Sequence, residues 1–258
     1  MEELRVSLIQ TELFWEDASA NLQMFTQKIE ELDQPTGLII LPEMFSTGFS
    51  MNAEKLAENT DGESFSWMCE TAISKNIALT GSLIIKENSN YYNRLYFIFP
   101  DGSYKFYDKK HLFTLAGEQH TYSSGKEKLI VDYKGFKICP LICYDLRFPV
   151  WSRNTEDYDL LIYVANWPAK RTFAWDALLR ARSIENMSYV IGVNRIGEDG
   201  NGHAYSGHSA VYDMLGKHQS TKNYEAIFSE TITLSKTNLQ QTREKFGFLR
   251  DRDEFTLK

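Results

Sequence analysis

Three short stretches of this chain close apolar runs on residues that can do chemistry. In KICPLICYDLRFPVWSR, Lys137 to Arg153, an apolar run stops at Cys143 and turns polar at once. In LIILPEMFSTGF a similar run closes on Glu43, and in FYDKKHLF two lysines, Lys109 and Lys110, stand between aromatic and apolar residues. An unperturbed thiol has a pKa of about 8.5, so at neutral pH it needs help to attack a carbon. The sequence places Cys143 at the exit of a strand, where α/β sheets hold their ligands and where turn N–H groups can receive an oxyanion. The alternative is an inert core cysteine.

The usual partner of a catalytic thiol is histidine. Of His111, His120, His203, His208 and His218, only His111, in DKKHLF, has a telling neighbourhood. Glu43 is the sharper candidate base, because a carboxylate at the end of a buried run is costly without a partner. A capping or salt-bridging acid remains its other reading. The lysine pair is the candidate cation for developing negative charge, against a plain solvated loop.

The elements that must carry these residues are legible from periodicity. RVSLIQ, LIIL, IALTGSLII, YNRLYFIF, SYKFYDK, LIVDY, FKICPLI, DLLIYVA, SYVIGVN, SAVYDM and AIFSETI read as strands. SANLQMFTQKIEEL, SFSWMCETAISK, RTFAWDALLRARSIENM and LSKTNLQQTREKFG read as helices, and GEDGNGHAYSG as a Gly-rich loop. Pro100-Asp101-Gly102 is a good turn sequence. No linker, repeat or low-complexity segment divides the 258 residues, so one α/β domain with sheet packed on sheet inside flanking helices is expected.

Composition narrows the function classes. A formal charge of −7 argues against a nucleic-acid binder. No run approaches the apolar length of a membrane helix, and MEELRVSLIQ does not read as a signal peptide. The three cysteines, Cys69, Cys139 and Cys143, are sparse and odd in number, which fits a reducing compartment, the cytoplasm. Cys139 and Cys143 lack the spacing and companions of a structural zinc site, so no metal is expected.

Taken in order, LPE, K-x-H-L-F and I-C-Y-D-x-R-F resemble the glutamate, lysine and cysteine motifs of the nitrilase or carbon–nitrogen hydrolase superfamily. YVANWP, LLRARSIEN and GHAYSGHSAVYDMLG stand where that family has its later segments, so the likeness covers nearly the whole chain. It is closest to the omega-amidase branch, including a bacterial type with YDK-[KR]-HLF and CYDLRFPVWSRN. The resemblance implies a four-layer α-β-β-α sandwich of the nitrilase type over residues 1–258, with two mixed sheets face to face and helices outside. It implies a Glu43, Lys109 and Cys143 triad, because the family's lysine precedes the histidine by two positions. Glu118, in AGEQHTYSSG, matches a second family glutamate that assists.

The reaction so implied splits a primary amide into carboxylate and ammonia through a cysteine thioester. Lys109 and the backbone N–H of Tyr144 would hold the oxyanion, and no cofactor has a task. A cation beside the sulfur is expected to lower its pKa while burial raises that of the acid. Arg147, Lys170 and Arg171 lie close to the site segments, and guanidinium groups suit carboxylates. Arg147 has another reading, as a partner of Asp145 or Glu185. Trp167 is a candidate pocket wall, or a core aromatic. Asn166-Trp167-Pro168 and Arg171 replace the Ser-Ala-Phe type run of eukaryotic omega-amidases.

With the likeness added, the expected substrates are short dicarboxylic ω-monoamides, especially 2-oxoglutaramate and 2-oxosuccinamate. Sibling readings keep the chemistry on nitriles, N-carbamoyl amides or deaminated glutathione; a non-catalytic scaffold member is the rival class. The family's habit implies a homodimer or larger homo-oligomer. FPVWSRN and the C-terminal LSKTNLQQTREKFGFLRDRDEF are the expected isologous surface.

Overall fold

The computed structural model describes residues 3–221 and 225–256, so the termini of the expected domain and Lys222, Asn223 and Tyr224 lie outside the described residues. The chain opens with β1 (Glu3–Gln10), α1 (Ala18–Glu30), β2 (Leu38–Ile40), the short α2 (Ala53–Leu56) and α3 (Glu63–Lys75). Next come β3 (Ala78–Glu87), β4 (Asn90–Ile98), β5 (Tyr104–Asp108), β6 (Val131–Tyr133), β7 (Phe136–Ile142) and the single turn α4 (Pro149–Ser152). Then follow β8 (Leu160–Ala165), α5 (Thr172–Asn186), β9 (Tyr189–Asn194), β10 (Ile196–Glu198), β11 (Ala204–Ser206) and β12 (Ala210–Tyr212). β13 (Phe228–Ser235) and α6 (Lys236–Phe246) close the fold.

Two mixed sheets result, ordered β13-β1-β2-β3-β4-β5 and β12-β9-β8-β7-β6. Their facing surfaces form one apolar core, in which Leu8, Ile40 and Phe97 of the first sheet join Ile138, Ile162 and Ile191 of the second. The other face of the first sheet presents Ile9, Ile39 and Leu79 to Leu22 and Phe25 of α1 and to Met68 and Ala72 of α3. On the outside of the second sheet, Trp175 and Leu179 of α5 close over Gly192 of β9. α6 is fastened by Arg243, which donates to the carbonyls of Met187 at 2.7 Å and Tyr158 at 2.6 Å. The layers are therefore α-β-β-α, as the resemblance implied.

The strands that matter for the site run in register and in one direction. β2 is parallel to β1 and β3, and β5 runs the same way because two antiparallel pairings separate it from β3. In the second sheet β7, β8 and β9 are parallel, with Ile142 beside Val164. Each sheet thus delivers several carboxyl strand ends to one edge.

The sequence reading misses one element. GEDGNGHAYSG is not an open loop: β10 and β11 pair as a ribbon, with Gly197 opposite Tyr205. Asp199 makes the turn between them, its side chain accepting the N–H groups of Asn201 at 2.9 Å and His203 at 3.0 Å. Such a side-chain-built turn leaves no apolar alternation to read.

The close approach at Gly192 yields a stability prediction. A Cβ there would sit 2.5 Å from Leu179 Cδ1 and 2.6 Å from Trp175 Cζ2, so Gly192→Ala must push α5 off the sheet. The expected cost is about 1–3 kcal/mol, read as a lower urea midpoint at unchanged slope. A midpoint equal to wild type would show that α5 does not bear on β9 here.

Candidate active site

Glu43 follows β2 and is fully buried. The chain turns directly behind it: Met44 takes a left-handed φ of 42° and gives its N–H to Ser82 Oγ at 2.8 Å. The Glu43 carboxylate is gripped from three sides. Oε1 accepts Asn93 Nδ2 and Lys109 Nζ, both at 2.8 Å, while Oε2 accepts the Asn166 N–H at 2.8 Å. The Asn166 side-chain amide also donates to the Glu43 carbonyl at 2.5 Å. Both carboxylate oxygens are therefore fixed before any ligand arrives.

Lys109 leaves the end of β5 with its N–H on the Asn93 carbonyl at 3.0 Å. Its ammonium reaches Glu43 and both oxygens of Glu118 at 3.0 Å. Glu118 is buried on a 3₁₀ turn and is held by the Phe113 N–H at 2.5 Å. Burial lowers the Lys109 pKa, but Glu118, Glu43 and Cys143 outweigh it and lift it above the ordinary value. Burial pushes the Glu118 carboxyl up; Lys109 draws it down and Glu43 adds to the rise.

Cys143 ends β7 and opens the 3₁₀ turn Cys143–Arg147 with a left-handed φ of 43°. For a side chain with a Cβ that conformation costs about 1–3 kcal/mol and persists only where its surroundings impose it. The residue borders the cavity and is half-buried, with its sulfur 3.9 Å from the Asn166 carbonyl oxygen. The thiol donates to that carbonyl, and the Glu43 carboxylate and Lys109 ammonium lie near enough for their charges to act on it. Burial holds the thiol pKa well above its usual 9.0, Glu43 pushes it further, and Lys109 offsets only part. This corrects the expectation of a thiol acidified by its cation: with two carboxylates around one ammonium, a thiolate would be the third anion.

His111 does not serve the sulfur. Its Nδ1 lies 2.8 Å from Asp145 Oδ1 and its ring stacks on Phe148 at 3.7 Å. Asp145 and Glu185 are likewise not partners of Arg147, because Asp145 takes His111 and Tyr107 while Glu185 pairs with Arg182 at 2.9 Å.

These side chains floor a cavity of about 710 Å³. Its walls are aromatic, from Trp15, Phe49, Phe113, Tyr144, Trp167 and Tyr205, and its cations are Arg147, Lys170 and Arg171. Arg147 lies over the Trp167 ring at 4.9 Å and Arg171 over Phe113 at 4.9 Å. Among the described residues neither guanidinium meets a carboxylate at ion-pair distance. Trp167 is both wall and core: it is almost fully buried, its N–H donates to Asn194 Oδ1 at 2.8 Å and its indole N–H to the Arg171 carbonyl at 2.8 Å.

Of the expected site residues, Glu43, Lys109, Cys143, Tyr144, Arg147, Trp167 and Arg171 line this cavity, and Glu118 stands against Lys109. Sequence reasoning passed over Asn93 and the wall residues Trp15, Phe49 and Tyr205; it named Asn166 only as part of the pocket stretch and Asp145 only as a partner for Arg147. A signal existed for Asn93, a lone amide inside the apolar run YYNRLYFIF.

Comparison with known proteins agrees with this geometry. The sequence profile of the carbon–nitrogen hydrolase family matches residues 5–243. The chain is 45% identical over 259 aligned residues to omega-amidase YafV of Yersinia enterocolitica, covering 100% of each. It is 32% identical to the 2-oxoglutaramate amidase of Bacillus subtilis, covering 93% of this chain and 92% of the relative. The crystal structure of XC1258 from Xanthomonas campestris, described as a CN-hydrolase superfamily protein with an arsenic adduct in its active site, superposes with a TM-score of 0.97 at 42% identity over 100% of both chains. A profile match along nearly all of the sequence, joined to a full-length structural likeness, settles the descent: this chain belongs to the carbon–nitrogen hydrolase family.

Proposed function

We propose that this protein is an omega-amidase that hydrolyses short dicarboxylic ω-monoamides, 2-oxoglutaramate and 2-oxosuccinamate above all, to the dicarboxylate and ammonia. The observation that carries the reading is Glu43, in direct contact with the Lys109 ammonium at 2.8 Å, lining one cavity floor together with the Cys143 thiol. The curated relatives named above, an omega-amidase and a 2-oxoglutaramate amidase, support the substrate class.

In the proposed reaction the thiol proton passes to Glu43 as sulfur bonds to the amide carbon, and the carbonyl pair moves onto oxygen. Lys109 and the Tyr144 N–H, in the first turn after the nucleophile where helical N–H groups lack internal partners, hold that oxyanion. The carbon–nitrogen bond then breaks, and nitrogen leaves as ammonia with the proton from Glu43. Water attacks the thioester, Glu43 takes its proton, the carbon–sulfur bond breaks, and the proton returns to sulfur. Glu118 assists by keeping Lys109 charged and placed. Arg147 and Arg171, which lie over the Trp167 and Phe113 rings and meet no carboxylate among the described residues, receive the distal carboxylate.

We place the protein in the cytoplasm as a homodimer. All three cysteines are free, and among the described residues no helix is long and apolar enough to cross a membrane. Of the expected isologous surface, Val150 is 50% and Phe248 55% exposed, whereas Trp151 turns inward and donates to Tyr107. Light scattering at micromolar concentration is expected to give twice the chain mass; a monomer mass refutes the dimer.

Ammonia release from 2-oxoglutaramate tests the activity. Cys143→Ala is expected to abolish it, and Glu43→Gln to lower kcat by about 10²–10⁴-fold. Arg171→Ala should raise KM about tenfold or more with a smaller effect on kcat, as loss of a charged hydrogen bond would. Normal turnover in Cys143→Ala would end the thiol mechanism.

The resting thiol has its own signature. A folded pKa raised above 9.0 means that the stability from keeping Cys143 neutral is present below 9.0 and fades as pH rises through the folded value. The ultraviolet difference between wild type and Cys143→Ala should therefore contain no thiolate absorbance up to pH 9.0. A thiolate midpoint near neutrality would refute the proton's residence on sulfur.

A further inference from the structure

Lys109 is flanked, two residues away on either side, by Tyr107 and His111, and both turn to the same carboxylate. Tyr107 Oη donates to Asp145 Oδ2 at 2.8 Å, while His111 presents its N–H at 3.0 Å and its Nδ1 at 2.8 Å to Asp145 Oδ1. Asp145 itself stands two residues after Cys143. Its Oδ2 also accepts the Ile142 N–H at 3.1 Å, from the residue just before the cysteine, so the side chain straps across the left-handed backbone of Cys143. Asp145 is fully buried, and the two oxygens take four donors between them.

We infer that Asp145, gripped by Tyr107 and His111, is a positioning residue that locks the turn aiming the Cys143 sulfur to the segment carrying the Lys109 ammonium, and so sets the rate of acyl transfer to sulfur. The inference rests on the proposed roles of Cys143 and Lys109. Its physical ground is a conformational one. The cysteine occupies a backbone region that only outside constraint keeps populated, and the Asp145 side chain is the one bridge between the residues before and after it that also reaches the lysine segment. A carboxylate suits the task because every group facing it is a donor, and it has no N–H of its own to turn wrongly against them. Asparagine would set its amino group against at least one of those donors. The imidazole must offer Nδ1–H to the carboxylate, and the flat stack on Phe148 fixes the ring in that pose. A displacement of an ångström between reacting groups costs about 100-fold in rate.

The test compares Tyr107→Phe, His111→Ala, His111→Asn and Asp145→Asn with Cys143→Ala as the control, in the full-length protein. Steady-state ammonia release is expressed per folded molecule, from the near-ultraviolet spectrum. Tyr107→Phe and His111→Ala are expected to lower kcat about 10- to 100-fold with KM changed less than about threefold. His111→Asn, whose Nδ2 stands where the imidazole Nδ1 stood, should recover most of the loss, and Asp145→Asn should fall at least as far as either single donor loss. Tyr107→Phe combined with His111→Ala should lose less than the product of the two, since both act through one carboxylate. Unchanged kcat per folded molecule in Tyr107→Phe and His111→Ala, with Cys143→Ala inactive, overturns the clamp and leaves the proposed function standing. An active Cys143→Ala overturns both.

Discussion

The site depends on one ammonium shared by two buried carboxylates. Lys109 lies within 3.0 Å of Glu43 and Glu118, and all three side chains are almost wholly withdrawn from water. Desolvating three charges is expensive, and such a cluster is weak evidence for stability, because well-packed apolar residues of similar volume often do as well. What it supplies is a fixed field. Two negative charges against one positive leave the floor unwilling to hold another anion, so the sulfur keeps its proton until a carbon is ready to take its electron pair. In the proposed reaction the proton then goes to Glu43 in the same event that creates an oxyanion elsewhere, and the local charge stays level while it moves.

That field is assembled at a seam. Glu43 and Lys109 arrive on strand ends of one sheet, Cys143 and Asn166 on strand ends of the other. The hydrogen bonds from the Asn166 peptide and side chain to Glu43 cross from sheet to sheet. Two non-glycine left-handed residues, Met44 and Cys143, make the turns on the two sides. Each has a fixed side-chain acceptor beside it, Ser82 Oγ for the first and Asp145 for the second. Strain at both turns is thus matched by a specific polar contact, and the core between the sheets holds the two halves in register.

Much of this was legible in the sequence, and the reason differs from residue to residue. Glu43 and Cys143 were visible because each ends an apolar run, where burial makes a polar side chain conspicuous. Lys109 against Lys110 was decided by family spacing alone; nothing in the local chemistry separates adjacent lysines, yet one is buried between acids while the other lies over Trp151 at 5.4 Å. The thiol's protonation could not be read, because it depends on burial and on the charges of Glu43, Lys109 and Glu118 rather than on any neighbour in the chain. Asp145 was read only as a partner for Arg147 and is instead fully buried, since the donors that satisfy it come from a different strand end. The β10–β11 ribbon escaped for a local reason, a turn built by an aspartate side chain inside a glycine-rich run.

The charge gradient along the cavity gives the proposed reaction a direction. Its acids are spent or sunk: Glu43 and Glu118 lie at the floor, Asp199 is used by its own turn and by Tyr205 at 2.8 Å, and Glu16 accepts Ser50 Oγ at 2.7 Å. Its guanidinium groups are half-exposed, lie over the Trp167 and Phe113 rings and meet no carboxylate among the described residues. An amide with a distal carboxylate therefore enters with one orientation, neutral end toward the sulfur and anion toward the arginines. Hydrolysis replaces that neutral end with a carboxylate next to Glu43. In a water-poor pocket, like charges a few ångströms apart repel far more strongly than in bulk solvent. The reactant thus suits both ends of the cavity and the product only one, so the arrangement that draws the amide in also expels the diacid.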